Sequence, residues 1–470
     1  MLWKEQIACI NCCNEQKSLQ QLITFMLPKS RILSRGNTRN NGKSVIPAVI
    51  VFALFFNHIS AYSQDSTSFE PDSASLQVCE QRDLPDLISK WRGKTRKEKK
   101  NTGSLLLVPV ISSNPATGFS MGVAGQYAFR GKKLNSLYSS INGSATYTTK
   151  NQFMFQVKNN IFLKDDRVFL SGDWRIFLFS QATYGLGTSA PEGGALDYQF
   201  SLNGWESTDD SLVQPMKFNH YRFHQTINWM VRKSIYLGFG FHLDVLGHIV
   251  DERLDSLRPI YTSHYLYSRK YDFNLTEYLI SGFSINAVLD TRDNLVNSYK
   301  GYYFNFNWRL NPEFLGTRHT ANLFSAEWRS YHGLSKRNPR HLLAFWFLGN
   351  FSENGRLPYL ILPALGYDQR GRAGRGYTQG RYRGTNMVYG ETEYRFPISP
   401  CGGILGGVVF ANVTSATNPV TKEKLFTTLA PGYGFGLRMM VDKKSRTNLQ
   451  IDFGFGKKSS GIYFGAAETF

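Results

Sequence analysis

The sequence predicts an all-β protein: a 16-stranded antiparallel transmembrane β-barrel with short periplasmic turns and long extracellular loops. Three observations lead there. An export signal stands near the N-terminus. From residue 104 to the last residue the chain alternates apolar and polar side chains with period two. The alternating stretches are about 10–14 residues long and number sixteen, the even count that a closed single-chain barrel needs.

The export signal is "SVIPAVIVFALFF", residues 44–56, an apolar run too short to span a bilayer as a helix. Lys29, Arg31, Arg35, Arg39 and Lys43 precede it, and "AYSQ" follows, with small residues Ala61 and Ser63 placed for cleavage before Gln64. Residues 1–63 therefore read as a signal peptide. Its basic region starts sensibly at Met26, so 1–25 read as an over-called start. Cys9, Cys12 and Cys13 fall in this part, without the second Cys or His pair of a zinc site.

The 470 residues carry a net charge of +19 and a mean hydropathy of −0.31. Such a basic balance first suggests nucleic acid. Export removes that reading and leaves anionic lipid or a polar pore. Loss of 1–63 takes seven Lys/Arg and two acids with it, leaving about +14. Cys79 and Cys401 then remain. An oxidising compartment would allow them to pair, but the predicted position of Cys401 in a turn between strands argues against it.

Residues 64–103 read as a periplasmic polar and basic tail ending in "KWRGKTRKEKKN", with one short helix around "LPDLISKW". The basic run is either a solvated linker or a contact for anionic lipid headgroups. The barrel follows, 104–470. "NQFMFQVKNNIFL" (151–163) sets Phe153, Phe155, Val157 and Ile161 against Gln152, Gln156, Lys158 and Asn160. "GYYFNFNWRL" (301–310) and "RTNLQIDFGFG" (446–456) repeat the pattern with Tyr, Trp and Phe, as a lipid-facing row with aromatic girdles would. The strands are predicted at 105–111, 117–129, 136–148, 151–163, 166–178, 217–231, 234–247, 276–291, 300–312, 319–332, 338–351, 385–398, 402–414, 428–441, 445–456 and 459–470. The long connections 179–216, 248–275, 352–384 and 415–427 all follow odd strands and so share one side, the outside. Both termini are then periplasmic. Phe470, closing the last strand in "GIYFGAAETF", reads as a C-terminal barrel-assembly signal.

The third long loop holds "RAGRGYTQGRYRG", residues 372–384, with four arginines, four glycines and no acid. Glycines let a backbone turn tightly, and guanidinium groups clamp carboxylates. Here, and in "AVLDTRDNLVNSYKGYYFNFN" (287–307) and "GYGFGLR…LQIDFGFG…GIYFG" (432–465), the sequence resembles the bacterial surface antigen family of BamA/TamA-like outer-membrane barrels. The family's loop tetrapeptide, V/I-R-G-F/Y, is matched at Arg375, Gly376 and Tyr377, with Gly374 departing at the first position. The strand–turn motif is matched at Asp290, Arg292, Asp293 and Gly301 without the family's proline. The resemblance implies that Arg375 docks inside the lumen on the positions of Glu393 and Asn412. Since Asn412 replaces the family's aspartate, Arg375 would have one charged partner instead of two; Glu391, on the same face as Glu393, is placed to supply the missing charge. Arg372, Arg381 and Arg383 are expected as lumen or loop charges. A solvent-exposed basic loop is the competing reading.

About 40 residues between Gln64 and the barrel are too few for the family's periplasmic POTRA domains. No G-x-S-x-G, H-E-x-x-H or P-loop occurs, the nine histidines are scattered along the chain, and neither a catalytic set, a metal site nor a cofactor is predicted. The implied function is assistance to protein or lipid insertion or translocation at the outer membrane of a Gram-negative-type cell, through a weak seam between the first and last strands. Pro109 in "LLLVPVI" suits a short edge strand. The implied partners are outer-membrane lipids, nascent outer-membrane proteins, and a periplasmic partner reached through 64–103. The alternatives are a passive or anion-selective pore and a scaffold barrel for a partner complex.

Overall fold

The structure, a computed structural model, describes residues 78–93, 103–114, 118–131, 136–190, 201–202, 205–206, 214–255, 257, 261–353 and 356–470. The signal peptide, the start of the chain and the basic run from 94 lie outside the described residues.

Sixteen antiparallel strands form one sheet in chain order. They are β1 Gly103–Asn114, β2 Gly118–Arg130, β3 Tyr138–Thr148, β4 Phe153–Leu163, β5 Val168–Thr183, β6 Gln214–Arg232, β7 Ile235–Asp251 and β8 Tyr278–Asp290. The second half comprises β9 Gly301–Asn311, β10 Ala321–Gly333, β11 Leu342–Glu353, β12 Asn386–Pro397, β13 Leu405–Ala416, β14 Ala430–Asp442, β15 Thr447–Gly456 and β16 Ser459–Ala466. Each predicted strand corresponds to one of these. Period two is what makes them strands: one parity exposes Leu105, Val123, Phe239, Phe283, Ile285, Phe435 and Leu437 on the outer face. The other parity carries Gln126, Asp244, Arg309, Glu393 and Asp452 inward, where they are buried. No described helix is long and apolar enough to cross a membrane. An apolar exterior around a charged interior is the arrangement of a barrel in lipid.

Two ends differ from expectation. β1 is not short, running twelve residues with Pro109 opposite Val123 of β2. β16 stops at Ala466 instead of reaching Phe470. Ala467 takes φ 70°, its N–H bonds Asn448 O at 2.8 Å, and the last residues turn inward. Phe470 packs against Trp346 with ring centroids 5.3 Å apart, so it lies inside the barrel and not on the lipid-facing row. Its carbonyl accepts from Arg395 Nη2 at 3.2 Å.

Every neighbouring pair from β1–β2 to β15–β16 is joined by a ladder, but no ladder joins β16 back to β1 among the described residues. A side-chain bond, Gln126 Nε2 to Thr447 Oγ1 at 3.2 Å, links β2 to β15 across the gap.

The segment read as a free tail is anchored over 78–93. Helix α1, Leu84–Trp91, starts at a capping box in which Asp83 and Asp86 accept each other's backbone N–H groups. Asp83 also accepts from Lys443 N at 3.1 Å, Asp86 pairs with Lys443 Nζ at 3.0 Å, and Cys79 N donates to Arg337 O at 2.9 Å. A disulfide joins Cys79 to Cys401, correcting the expectation from Cys401's turn position. The turn is what makes the bond possible: it lies at the same rim as the turns holding Arg337 and Lys443.

On the opposite rim the long connections pack on one another. Helix α2, Ser263–Lys270, sends Tyr267 OH to Leu357 O at 3.0 Å. The loop after β5 reaches the loop after β13 through Asn418 Nδ2 to Leu186 O at 3.1 Å.

The staple yields a test. Trypsin acting on the folded protein in detergent should cut within 92–100 yet leave the Cys79 peptide on the barrel in a non-reducing gel. Dithiothreitol should release it. Release without reductant would show that the two cysteines are not joined.

A buried arginine clamp in the lumen

The loop between β11 and β12 folds back into the barrel, and Arg375 stands at its centre, 2% exposed. Its Nη1 donates to Asp452 Oδ2 at 2.7 Å, and its Nη2 donates to Glu391 Oε1 at 2.5 Å and to Glu393 Oε1. The guanidinium lies over the Phe410 ring at 3.6 Å. Period two on β12 points Glu391 and Glu393 to the same face, and β15 brings Asp452 from the other side. Burial opposes the charge of Arg375, but the three carboxylates outweigh it and hold its pKa well above the ordinary arginine value. Asn412 does not meet the guanidinium. Its amide Nδ2 donates to the Arg375 backbone carbonyl at 2.9 Å. The guanidinium thus meets Glu393, Glu391, which the sequence placed to supply the missing charge, and a third acid, Asp452, which was visible in the sequence only as a polar-parity residue of the penultimate strand.

The rest of the motif locks the backbone. Gly376 has φ 103°, and a Cβ there would lie 2.7 Å from the Phe455 carbonyl carbon, so only glycine fits. Its N–H donates to Tyr463 OH at 2.9 Å, tying the loop to β16. Tyr377 OH donates to Pro431 O at 2.5 Å and accepts from Lys457 N at 3.0 Å. Gly374, the departure from the family pattern, has φ 88°, and a side chain there would strike Leu365 Cδ2 at 2.5 Å. In this chain Leu365 fills the space that a valine or isoleucine would need.

The other loop arginines are also internal. Arg383 Nη1 donates to the carbonyls of Tyr359 and Leu360 at 3.0 and 2.9 Å, and Arg381 Nη2 donates to Ala190 O at 3.1 Å. Arg370 donates to Glu468 O at 3.1 Å and Leu295 O at 3.3 Å.

Leu295 belongs to the turn after β8, the predicted strand–turn motif. Asp290 and Arg292 form a bidentate pair at 2.9 and 2.7 Å, and Arg292 lies over the Tyr303 ring. Asp293 accepts from Tyr299 N at 3.0 Å and pairs with Arg446 at 2.6 Å. Gly301 closes the turn at φ 106°. The turn tucks inward, so loop and turn meet in the lumen.

Two features escaped the sequence reading. The first is a set of acid–x–Arg pairs on one strand face, Asp173 with Arg175, Glu327 with Arg329 and Glu393 with Arg395, which repeat the spacing of Asp290 and Arg292. The spacing of two was the available signal. The second is a histidine cluster. Asp244 accepts from Arg222 Nε at 2.6 Å and Arg309 Nη1 at 3.1 Å, and it bonds His220 and His224 at 3.1 and 2.7 Å. His220 and His224 share one face of β6, and the neighbouring β7 brings Asp244 to both. At the C-terminus, Glu468 is held by Arg438 Nε at 2.7 Å. Burial would raise its pKa, but Arg438 and Arg395 bring it down to about 2.

A model of the Omp85 superfamily domain matches residues 140–470. Comparison with curated proteins gives no match. Among solved structures, BamA from Haemophilus ducreyi lacking POTRA domains 1–3 is similar at 14% identity and a TM-score of 0.45, over 92% of this chain and 79% of that one. CdiB from Acinetobacter baumannii is similar at 13% identity and a TM-score of 0.45, over 77% of this chain and 59% of that one.

The clamp predicts a graded loss. Without Arg375, Glu393 keeps Arg395 and Asp452 keeps Arg438, so the unpaired charge falls mainly on Glu391. Arg375→Ala should cost about 3 kcal/mol, the low end for breaking a buried pair, read as a shift of the urea midpoint in detergent. Arg375→Ala/Glu391→Gln should recover part of it. Gly374→Val should also destabilise, and adding Leu365→Ala should rescue only incompletely, because the positive φ remains. With the sheet, the lumen loop and the domain match taken together, this chain is an outer-membrane β-barrel belonging to the Omp85 superfamily.

Proposed function

We propose that this barrel assists the insertion or translocation of proteins or lipids at the outer membrane, acting through the gap between β1 and β16. The observation that carries this reading is the unpaired edge: every other neighbouring pair in the sheet has its ladder, and among the described residues this one has none. An edge strand offers unsatisfied N–H and C=O groups, which in lipid have no water to bond. Such an edge is a template for an incoming strand.

The lumen supports the same reading over a pore. The clamped loop, the turn after β8 and the C-terminal residues all enter the barrel, and Phe470, Tyr299, Trp346, Leu365 and Tyr377 belong to one buried cluster across it. A conducting pore would need that plug removed. The short segment anchored by Cys79 gives the barrel a fixed periplasmic element at the same rim as the turns. In this proposal a periplasmic partner reaches the barrel there.

Seam crosslinking tests the proposal. Outward-facing Leu105 or Leu107 of β1 and Ile462 or Phe464 of β16 would each be replaced singly by cysteine in a background without Cys79 and Cys401. Trapping in cells should yield adducts with other outer-membrane proteins. In the doubly substituted barrel, rapid and complete formation of the β1–β16 bond with no adducts would mean a closed seam and overturn the proposal. A high conductance of the unmodified purified barrel in planar bilayers would then favour the pore.

A further inference from the structure

A cavity of about 1050 Å³ lies on the seam side of the lumen. Its size is at the upper end of small-molecule pockets, about 300–1,000 Å³. Its lining is of two kinds. One end is cationic and polar, with Lys158 from β4, Arg370 and Arg372 from the loop, and Gln450 from β15. The other end is apolar and drawn from both free edges of the sheet. Leu106, Val108 and Val110 come from β1, on the parity opposite to exposed Leu105 and Leu107. Leu437, Ile451 and Phe464 come from the exposed, outer rows of β14, β15 and β16. One space thus touches residues of β1 and of β14–β16, the strands at the two free edges of the sheet.

The carboxylates near the cationic end are engaged elsewhere: Glu468, which also lines the cavity, is held by Arg438, and among the described residues no acid is in ion-pair contact with Lys158, Arg370 or Arg372. Lys158 has no hydrogen bond or ion pair with a described residue, and its Nζ lies beside Gly371, 3.9 Å from where a Cβ would stand. Arg372 has no carboxylate in ion-pair contact; its guanidinium lies against the Gln450 amide and Gly465 of β16. Arg370 spends its guanidinium on two backbone carbonyls. The nearby Asp368 carboxylate is occupied by the backbone N–H groups of Arg370, Arg372 and Ala373 at 3.0, 3.0 and 2.9 Å. The cavity's other two cations, Arg175 and Arg438, already hold Asp173 and Asp452.

We propose that this cavity binds an anionic amphiphile of the phospholipid class. Its phosphate sits among Lys158, Arg370 and Arg372, and its acyl chain leaves between the inner row of β1 and the outer row of β16. Guanidinium and ammonium groups are the usual phosphate partners, and an apolar channel to the bilayer is what distinguishes a lipid from a free anion. The inference rests on the reading of the β1–β16 gap as a lateral opening and adds to it the chemistry of what enters.

The test uses the full mature barrel, purified, delipidated in detergent and offered equal amounts of phosphatidylglycerol and phosphatidylcholine. Retained lipid is counted by native mass spectrometry. The wild-type protein should keep the anionic lipid in roughly tenfold preference, since one charge-assisted hydrogen bond is worth about one such factor. Lys158→Gln/Arg372→Gln should erase the preference, while Lys158→Arg/Arg372→Lys should keep it, which separates lost charge from misfolding. Equal retention of both lipids, or a preference untouched by the neutral pair, overturns the proposal. Inorganic phosphate at millimolar concentration should leave the lipid bound. Displacement by phosphate would assign a free-anion site and overturn the amphiphile. These readouts are made on the isolated barrel, so they can fail while seam adducts in cells still form, and the reverse.

Discussion

The contact on which the rest depends is that of Arg375 with Glu391, Glu393 and Asp452. A buried guanidinium is costly unless each face finds an acid, and buried acids are costly unless a cation meets them. Here neither side is satisfied alone. Of the two carboxylates on β12 and the one on β15, Glu393 and Asp452 also meet the strand arginines Arg395 and Arg438, while Glu391 meets its cation in the loop's Arg375. The loop is therefore held in place by the strand chemistry below it. Through Gly376 and Tyr377 it also touches β16 and the β14 end, so one arginine couples the plug to the strands beside the open edge.

That coupling bears on the edge itself. β16 pairs with β15 over only the stretch from Ser459 to Ala466, and among the described residues no strand pairs with its far side. Three things hold the C-terminal edge instead. Tyr463 reaches the loop, Glu468 reaches Arg438, and Phe470 is buried on Trp346. At the periplasmic rim, the Cys79–Cys401 bond and the Lys443 contacts tie the segment before β1 to turns of the second half of the sheet. The two ends of the sheet are thus kept near one another by tethers inside and below the barrel. None of those tethers is a ladder, so the gap can change without breaking them.

The strands were legible because their period is set by lipid on one side and water or charge on the other, a constraint that every strand obeys locally. The loop side was legible for the same reason, since long connections all follow odd strands. What sequence could not show is what happens where the period stops. Ala466 and Phe470 continue the apolar pattern on paper, but Ala467 turns at positive φ and the strand ends. The disulfide was lost for a similar reason: 322 residues separate the cysteines, and only the closed order of turns brings them together. In the site, Glu391 and Glu393 followed from their spacing on one strand, whereas Asp452 comes from β15, three strands away, and shares Arg375 with them.

The distribution of charge carries the last step. Away from the gap, lumen cations have acids beside them: Arg175 with Asp173, Arg222 and Arg309 with Asp244, Arg292 with Asp290, Arg329 with Glu327. Three of these five pairs are two residues apart in the chain, a spacing that neutralises charge locally. The loop breaks that rule. Its tip brings Arg370 and Arg372 beside Lys158 with no carboxylate in ion-pair contact, and it does so on the side where the sheet is open. An Arg-rich loop whose one carboxylate, Asp368, is taken up by backbone N–H groups would be a poor choice for simply filling a barrel, since leucine or tyrosine would fill it without leaving charge uncompensated. The clamp accounts for Arg375, and carbonyl contacts account for Arg381 and Arg383. Arg370 likewise meets two carbonyls, which leaves Lys158 and Arg372 as the cations that the proposed phosphate would neutralise, with the cavity's apolar end beside them.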